Sequence, residues 1–377
     1  MPEKAKVPAI RFKGFTDAWE QRKAKELCSI TTGKSNTQDQ VDDGLYPFFI
    51  RSEVPVKSNR YLYDEEAVIT IGDGNIGRVF HYVNGKFDLH QRCYKMVDFK
   101  GLTAKYFYYF FSTKFYKRAM AMTAKATVDS VRLEMISEMD IMYPTDLSEQ
   151  EEITELLTNL DNLITLHQRK LLKLKNVKKA MLEKMFPKNG SHVPEIRFAG
   201  FTDAWEQRKI NDLFKVTRGY VLAATTTTSK RTEEAPYPVY SSQTKENGLM
   251  GYYKNFLYED AITWTTDGAN AGTVNYRTGK FFCTNVCGVL LSNEVKANQM
   301  IAEALNNVAK KYVSYVGNPK LMNNVMADIE IQLPNQENER VLISKLFCNL
   351  DNLITLHQRK YEKLQNLKKA CLEKMFV

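Results

Sequence analysis

The sequence is poor in cysteine and contains no long apolar run, and both shortages narrow the class of protein. Six cysteines in 377 residues are too few for a disulfide framework. No secretory hydrophobic region opens the sequence, and no apolar run reaches the roughly 18 residues of a membrane span. We therefore expect a cytoplasmic protein whose thiols are reduced.

Motifs that carry catalysis are missing as well. Gly33-Lys34-Ser35 looks like the end of a phosphate-binding loop, but Cys28 stands where that motif needs its first glycine. Cys283 and Cys287 lack the second ligand pair of a zinc site, which favours structural thiols. There is no Gly-x-Ser-x-Gly elbow, His-Glu-x-x-His helix or Asn/Asp-Pro-Pro-Tyr element. The sequence predicts a binding protein with no enzymatic activity, no cofactor and no metal.

The net charge indicates the kind of partner, and the length indicates the number of domains. The chain has 53 Lys and Arg residues against 44 Asp and Glu residues, a net charge of +9. This excess favours a polyanionic partner but says nothing about the fold. The length exceeds that of one ordinary core and predicts two domains or a duplicated unit.

Two segments of the sequence recur. Residues 7–23 return as 193–209 with 15 of 17 positions identical, and residues 159–186 return as 349–376 with 23 of 28 identical. The stretches between these segments share only landmarks such as an Asp-Gly turn. Each half is therefore an entry motif, a variable body and a shared long segment, so one duplicated frame carries two different bodies.

The shared long segments are predicted to be helices, because their apolar residues recur at three- and four-residue steps. Ser148 with Glu151 predicts a capping box at the first helix start, Asn338 is the corresponding cap of the second, and Pro187 ends the first helix. The first helix would be roughly 57 Å long at 1.5 Å per residue. Its apolar stripe must be buried against another element, and we expect the second long helix to pack on it as an antiparallel partner. A run of basic residues is predicted to be a solvated face, with phosphate contact as the alternative: Arg169, Lys170, Lys173, Lys175, Lys178 and Lys179.

The variable bodies are predicted to be mixed α/β domains. Short apolar or β-branched runs at 67–71 and 78–83 flank the Gly72-Asp73-Gly74 turn, and 261–265 and 273–276 flank the second Asp-Gly turn. A helical stretch follows in each body, at 106–111 and at 299–312.

Together these pieces resemble a known family, the specificity subunits of type I restriction–modification systems. The entry motif 10–23 with its copy 196–209, the repeated Asp-Asn-Leu-Ile-Thr-Leu-His-Gln-Arg-Lys helices and the Tyr237-Pro-Val-Tyr-Ser-Ser segment carry the resemblance. The first body is a looser match, because it has Tyr46-Pro-Phe-Phe-Ile-Arg where the second body has Tyr237-Pro-Val-Tyr-Ser-Ser. The resemblance implies an α/β fold class: two mixed α/β target-recognition domains separated by two long helices that form an antiparallel coiled-coil pair, with an internal pseudo-two-fold repeat. The expected segments are a first recognition domain at 1–146, a central helix at 147–189, a second recognition domain at 190–334 and a C-terminal helix at 335–377.

The resemblance also implies a function. Each recognition domain would read one half of a bipartite, asymmetric target in double-stranded DNA, without catalysis. Two DNA adenine methyltransferase subunits would dock on the helices, and two ATP-driven restriction/translocase subunits on those. A 57 Å helix would limit the half-site separation to at most roughly 17 base pairs. The alternatives are an interaction scaffold with two protein- or glycan-binding domains and a self-sufficient modification enzyme.

Loops of both bodies are expected to hold phosphate anchors and base readers. Arg and Lys suit guanine, whereas Asn suits adenine. For each single residue the alternative is a solvated or turn-forming side chain, and Asp73 and Asp267 are expected to form turns. The candidate DNA-binding residues are Lys34, Ser35, Asn36, Arg51, Asn75, Arg78, Arg92, Lys125, Thr127, Arg132, Arg218, Tyr220, Ser242, Asn270, Asn285, Asn318 and Lys320.

Overall fold

The computed structural model describes residues 7–123, 130–188, 190–243 and 245–376, and the chain divides into two units. The first unit combines Met1–Gln168 with Arg359–Val377, and the second is Arg169–Gln358. Each unit holds one variable body, the first part of the long helix that follows it and the last part of the other long helix.

The first body is a six-stranded sheet covered by a helix. Its elements are β1 (Glu20–Lys23), α1 (Ala24–Leu27), β2 (Ser29–Thr32), β3 (Tyr46–Phe49), β4 (Val56–Ser58), β5 (Tyr63–Ile71), β6 (Phe80–Leu89), β7 (Cys93–Val97), α2 (Ala104–Thr123), α3 (Leu133–Ser137) and β8 (Asp140–Tyr143). The strand order is β2-β7-β5-β6-β3-β4, and β1 pairs with β8 in a separate small sheet. β3 lies parallel to β6, whereas the other neighbours are antiparallel.

The long helices are α4 (Leu147–Lys184) and α8 (Glu337–Met375), with the second body between them. That body contains β9 (Glu206–Lys209), α5 (Ile210–Leu213), β10 (Phe214–Arg218), β11 (Tyr237–Tyr240), β12 (Leu249–Tyr253), β13 (Tyr258–Thr265), β14 (Val274–Cys283), β15 (Cys287–Ser292), α6 (Gln299–Ala309), α7 (Asn323–Asp328) and β16 (Glu330–Leu333). Its strand order, β10-β15-β13-β14-β11-β12 with β16-β9 apart, repeats that of the first body. The predicted fold class, two mixed domains on a repeated frame with long helices, is confirmed.

The two cores reach one architecture with different residues. α2 buries aromatic side chains against its sheet, among them Tyr106, Phe107 and Phe111, whereas α6 buries Met300 and Leu305. The predicted strands and helices exist, and β5, β6, β13, β14 and α2 extend beyond the apolar runs that predicted them. α6 is shorter than predicted, because the α-helix ends at Ala309 and a 3-10 turn follows it to Tyr312.

One cross-strand pair shows how the two cores fill the same space with different residues. Thr70 lies opposite Tyr94 in the first sheet, and Trp264 lies opposite Gly288 at the corresponding place in the second. The large ring is on β7 in one copy and on β13 in the other. Tyr94 Oη donates to the Val131 carbonyl at 3.2 Å, and Trp264 Nε1 donates to the Leu321 carbonyl at 3.1 Å. Both rings therefore anchor the segment that lies just before a short helix, α3 in the first body and α7 in the second.

The predicted helix caps are wrong in detail. α4 begins at Leu147, and Asp146 Oδ1 accepts a 2.8 Å hydrogen bond from the Ser148 N–H. Asp146 is therefore the capping residue, because an aspartate carboxylate satisfies a free N–H of the first turn. α8 begins at Glu337, before the predicted cap Asn338, and α4 ends at Lys184, three residues before Pro187.

Within each unit the two helix segments run antiparallel. In the first unit, Lys368 Nζ on α8 lies 2.5 Å from Asp161 Oδ1 on α4. In the second, Lys178 Nζ on α4 lies 2.6 Å from Asp351 Oδ1 on α8 and 2.7 Å from Glu303 on α6. These are the same ion pair in the two copies of the frame. Lys178, predicted to be solvated, is instead part of the packing.

The repeated entry motif holds the start of a long helix. Arg11 forms two hydrogen bonds of 2.6 and 2.7 Å with Glu149, and Arg197 forms two of 2.6 and 2.8 Å with Glu339. Both glutamates are 0% exposed. The near-identity of the two entry motifs therefore has a structural cause. Over the described residues, no helix combines the length and the apolarity that crossing a membrane requires.

Candidate nucleic-acid interface

A curled central strand brings distant loops together in each unit. β5 pairs through Tyr63 with Phe87 on one side and through Ile71 with Cys93 on the other. A straight strand of this length would span roughly 26 Å. The six-residue step between its two partners reaches at most roughly 21 Å. The sheet must therefore curl, and the loops that follow different strands converge.

Five segments meet in the first unit and form what we call the first loop edge: 33–36, 49–51, 72–75, 89–92 and 130–132. Backbone hydrogen bonds join them, from Lys34 N–H to the Leu89 carbonyl at 3.1 Å, His90 to Phe49 at 2.9 Å, Gly72 to Arg92 at 2.7 Å and Val131 to Gly72 at 2.7 Å. The loops are thus placed by the backbone, which leaves their side chains free to differ.

Two arginines converge on Asp73 at this edge. Arg92 lies 2.7 Å and Arg51 3.3 Å from the Asp73 carboxylate. Partial burial raises the pKa of Asp73, but the hydrogen bond from Arg92 and the charge of Arg51 lower it by more, so that the pKa lies below its usual value. The guanidinium groups stay 63% and 45% exposed. Asp73 therefore orients two cations that still face solvent, a role beyond the predicted turn.

Other candidates of the first body differ in accessibility. Ser35 is buried, and its hydroxyl donates to Asp88 at 2.5 Å. Lys34, Asn75 and Arg132 are exposed. Asn36, also exposed, accepts a 2.5 Å hydrogen bond from Gln91.

Arg78 does not join the Asp73 cluster. Its guanidinium donates to Tyr116 Oη at 2.5 Å and lies 4.3 Å from the centre of that ring, on α2. Lys125 and Thr127 lie outside the described residues.

The second unit repeats the arrangement in a second loop edge: 218–220, 240–242, 266–270, 283–286 and 318–320. The joining hydrogen bonds run from Tyr220 N–H to Cys283 at 3.1 Å, Thr284 to Tyr240 at 2.9 Å, Thr266 to Val286 at 3.0 Å and Gly268 to Pro319 at 2.9 Å. Of the predicted residues, Arg218, Tyr220, Asn285, Asn318 and Lys320 are exposed here, and Ser242 and Asn270 are partly buried. All seven candidates of the second body lie on this edge.

The charges of the second edge are arranged differently. Asp267 lies 3.8 Å from Lys320, and Asn270 Nδ2 donates to the Ser242 carbonyl at 2.9 Å. The backbone bonds make Ser242 and Val286 the counterparts of Arg51 and Arg92. The turn aspartate is therefore kept, while the cation beside it comes from another loop.

Two arginines near the loop edges were not among the residues predicted from the sequence. Arg60 lies 2.7 Å from Asp39 and donates to Ser35 Oγ at 3.0 Å while staying 52% exposed, so it borders the first edge. Arg277 is buried, and its guanidinium lies 3.7 Å from the centre of the Tyr240 ring and donates to the Asn247 carbonyl at 2.7 Å. Burial lowers the pKa of Arg277. No sequence signal marks either residue, because each acts through strands distant along the chain.

The two edges offer exposed cations, amides and hydroxyls on preformed loops. In the described part of the chain, no three His, Cys, Asp or Glu side chains gather in a way that could hold a metal ion. Such a surface suits phosphates and base edges, which are recognised by cations and by paired donors and acceptors.

Comparison with known proteins agrees with this architecture. The family model of the type I restriction modification DNA specificity domain matches residues 16–176 and 202–366. A putative type I specificity subunit N-terminus of Mycoplasma pneumoniae is 40% identical over 132 residues, 34% of this chain and 69% of that protein. A putative type I specificity subunit of the same organism is 28% identical over 233 residues, 59% of this chain and 79% of that protein.

A solved structure shares the fold. The crystal structure of the S subunit of a type I restriction–modification system from M. genitalium superposes with a TM-score of 0.79 over 98% of this chain and 99% of that chain. The sequence identity is 15%, so the likeness is one of fold.

Proposed function

Because this chain belongs to the type I restriction modification DNA specificity family and carries that domain twice, we propose that it is a non-catalytic, sequence-specific DNA-binding subunit. Each recognition domain reads one half of a bipartite, asymmetric target. The observation that carries this proposal is the pair of loop edges. The same five segments converge in both units, but they present different side chains.

The two loop edges share a backbone arrangement but present different side chains, which suits two different half-sites. In the first, Arg51 and Arg92 flank Asp73; in the second, Lys320 faces Asp267. Arginine binds guanine through paired hydrogen bonds, whereas lysine is a point charge suited to a phosphate or a single acceptor. Unequal readers on a repeated frame favour an asymmetric DNA target over a palindrome.

The helices are the proposed docking surface for two DNA adenine methyltransferase subunits, which in turn bind the restriction/translocase subunits. Leu163 and Leu166 on α4 are 43% and 44% exposed, and their copies Leu353 and Leu356 on α8 are 43% and 47% exposed. Two equal apolar patches on identical sequence support the binding of two copies of one partner. The six cysteines are free thiols, which agrees with our proposal of a cytoplasmic setting.

Salt-dependent binding tests the DNA proposal. The full chain in complex with its methyltransferase subunit should lose affinity for duplex DNA steeply as salt rises, because phosphate contacts release counterions. Lys320→Ala should weaken binding and lower the slope of log affinity against log salt by roughly one. Lys215→Ala is the matched control, since Lys215 is an exposed lysine outside the second loop edge. A DNA affinity that changes neither with salt nor with Lys320→Ala would favour the alternative of an interaction scaffold.

A further inference from the structure

A small closed loop projects from the second loop edge. Ser314 and Lys320 exchange two backbone hydrogen bonds of 2.8 and 2.9 Å, so that residues 315–319 form a tight loop. Gly317 takes a left-handed conformation there, with φ at 74°. Val313, just before the loop, is buried and packs against Gly272. The loop is thus held at its base by both backbone and side-chain contacts.

The tip of this loop is apolar and exposed. Tyr315 is 71% exposed and Val316 92%, the highest exposure among the large apolar residues that the structure describes. A single exposed apolar side chain needs no explanation, but two adjacent ones on a closed loop form a shaped projection.

Cations surround the base of the tip. Lys310 and Lys311 are the first two residues of the short 3-10 turn before the loop, and both are exposed. Lys320 closes the loop and is 50% exposed beside Asp267. The Pro319 carbonyl accepts a 2.9 Å hydrogen bond from Gly268, which ties the loop to the turn of the second loop edge. The projection therefore has an apolar end and a positively charged base.

Duplex DNA matches this distribution. Its phosphates line the outside of the grooves and attract lysines. In the major groove, the one apolar group on the base edges is the 5-methyl group of thymine, which apolar side chains contact. We propose that the Tyr315–Val316 tip enters the major groove of the second half-site and reads a thymine through its 5-methyl group. This inference rests on the proposed function and adds a specificity determinant to it.

Deoxyuridine in place of thymine tests the inference, because it removes only the methyl group. The full chain in complex with its methyltransferase subunit would be titrated with duplexes of its methylated motif, each carrying one such replacement in the second half-site. One replacement should weaken binding about fourfold, the effect of one buried methyl group. Val316→Ala and Tyr315→Ala should weaken binding to the thymine duplex, and at least one of them should abolish the response to that replacement.

Leu45→Ala is the control, since Leu45 is 78% exposed in the other unit and its loss should leave the deoxyuridine response unchanged. Because Tyr315 and Val316 are exposed, their variants should stay folded, and an unchanged unfolding temperature would verify this. The inference is overturned if no replacement matters, if both variants keep the full response, or if the second half-site contains no thymine on either strand. A complex that binds no specific motif at all would instead refute the proposed function.

Discussion

Arg11 and Arg197 hold the same buried carboxylate in the two copies of the frame. Each forms a two-bonded pair with a glutamate that is 0% exposed, Glu149 or Glu339. Breaking such a pair leaves an uncompensated buried charge, which is strongly destabilising. The side-chain hydrogen bond to the glutamate also raises the pKa of each arginine, so neither pair opens by arginine deprotonation near neutral pH.

Arg11→Ala and Arg197→Ala should therefore each lower the free energy of unfolding by about 3–5 kcal/mol. Urea unfolding of the full chain, followed by circular dichroism, measures this loss. Arg22→Ala is the control, because its pair with Glu20 is 52% and 44% exposed and contributes at most about 1 kcal/mol. Equal losses for Arg11 and Arg22 would show that the entry motif does not hold the helix.

Single residues were the hardest feature to predict. The sequence named Arg51 and Arg92 as separate candidates and Asp73 as a turn former, but it did not bring the three together, because their convergence depends on the curl of β5. Ser35 shows the opposite error, since a loop position next to a lysine is buried against Asp88. Exposure and pairing are tertiary properties, which local sequence does not encode.

At the scale of elements, the exchange of Thr70 and Tyr94 for Trp264 and Gly288 shows two solutions to one packing problem. A Cβ on Gly288 would lie 2.1 Å from the Trp264 ring, so that ring needs the glycine. Gly288→Ala should lower the free energy of unfolding by about 1–3 kcal/mol, because an overpacked core must shift.

A double variant, Trp264→Thr with Gly288→Tyr, tests whether the two pairs are equivalent. It places the first copy's solution in the second sheet, so its loss of unfolding free energy should be smaller than the sum for the two single variants. Urea unfolding of the four chains in the cycle measures this coupling. Strictly additive losses would contradict the idea that the two pairs fill the same space.

Helices and strands differed in how well the sequence predicted them. The spacing of apolar residues predicts α4 and α8 because a helix repeats every 3.6 residues along one segment. Strand order involves distant partners, such as β3 beside β6, and no local pattern indicates it. The predicted helix caps differ from the observed ones by one or two residues, since Asp146 and Ser148 are both good capping residues and residue type alone does not distinguish them.

For the whole molecule, duplication is the feature that sequence alone could establish. Both units share strand order, the arginine clamp and the lysine–aspartate pair of the helices. They differ in core side chains, which leave the strand order unchanged, and in the side chains of the loop edges, where a difference is what two unlike half-sites would require. The net charge of +9 supports this less than the architecture does, because part of the excess, such as Lys178, lies in helix packing.

The most direct test is sequencing of DNA methylation in cells that carry this chain and its methyltransferase subunit. The account predicts one bipartite, asymmetric, adenine-methylated motif. Arg92→Ala should change the base preference in one half of that motif. Asn318→Ala, which removes an exposed amide of the second loop edge, should change it in the other half, while Arg22→Ala leaves both unchanged. Absence of a methylated motif, or a change in the same half for both edge variants, would contradict the assignment of one half-site to each unit.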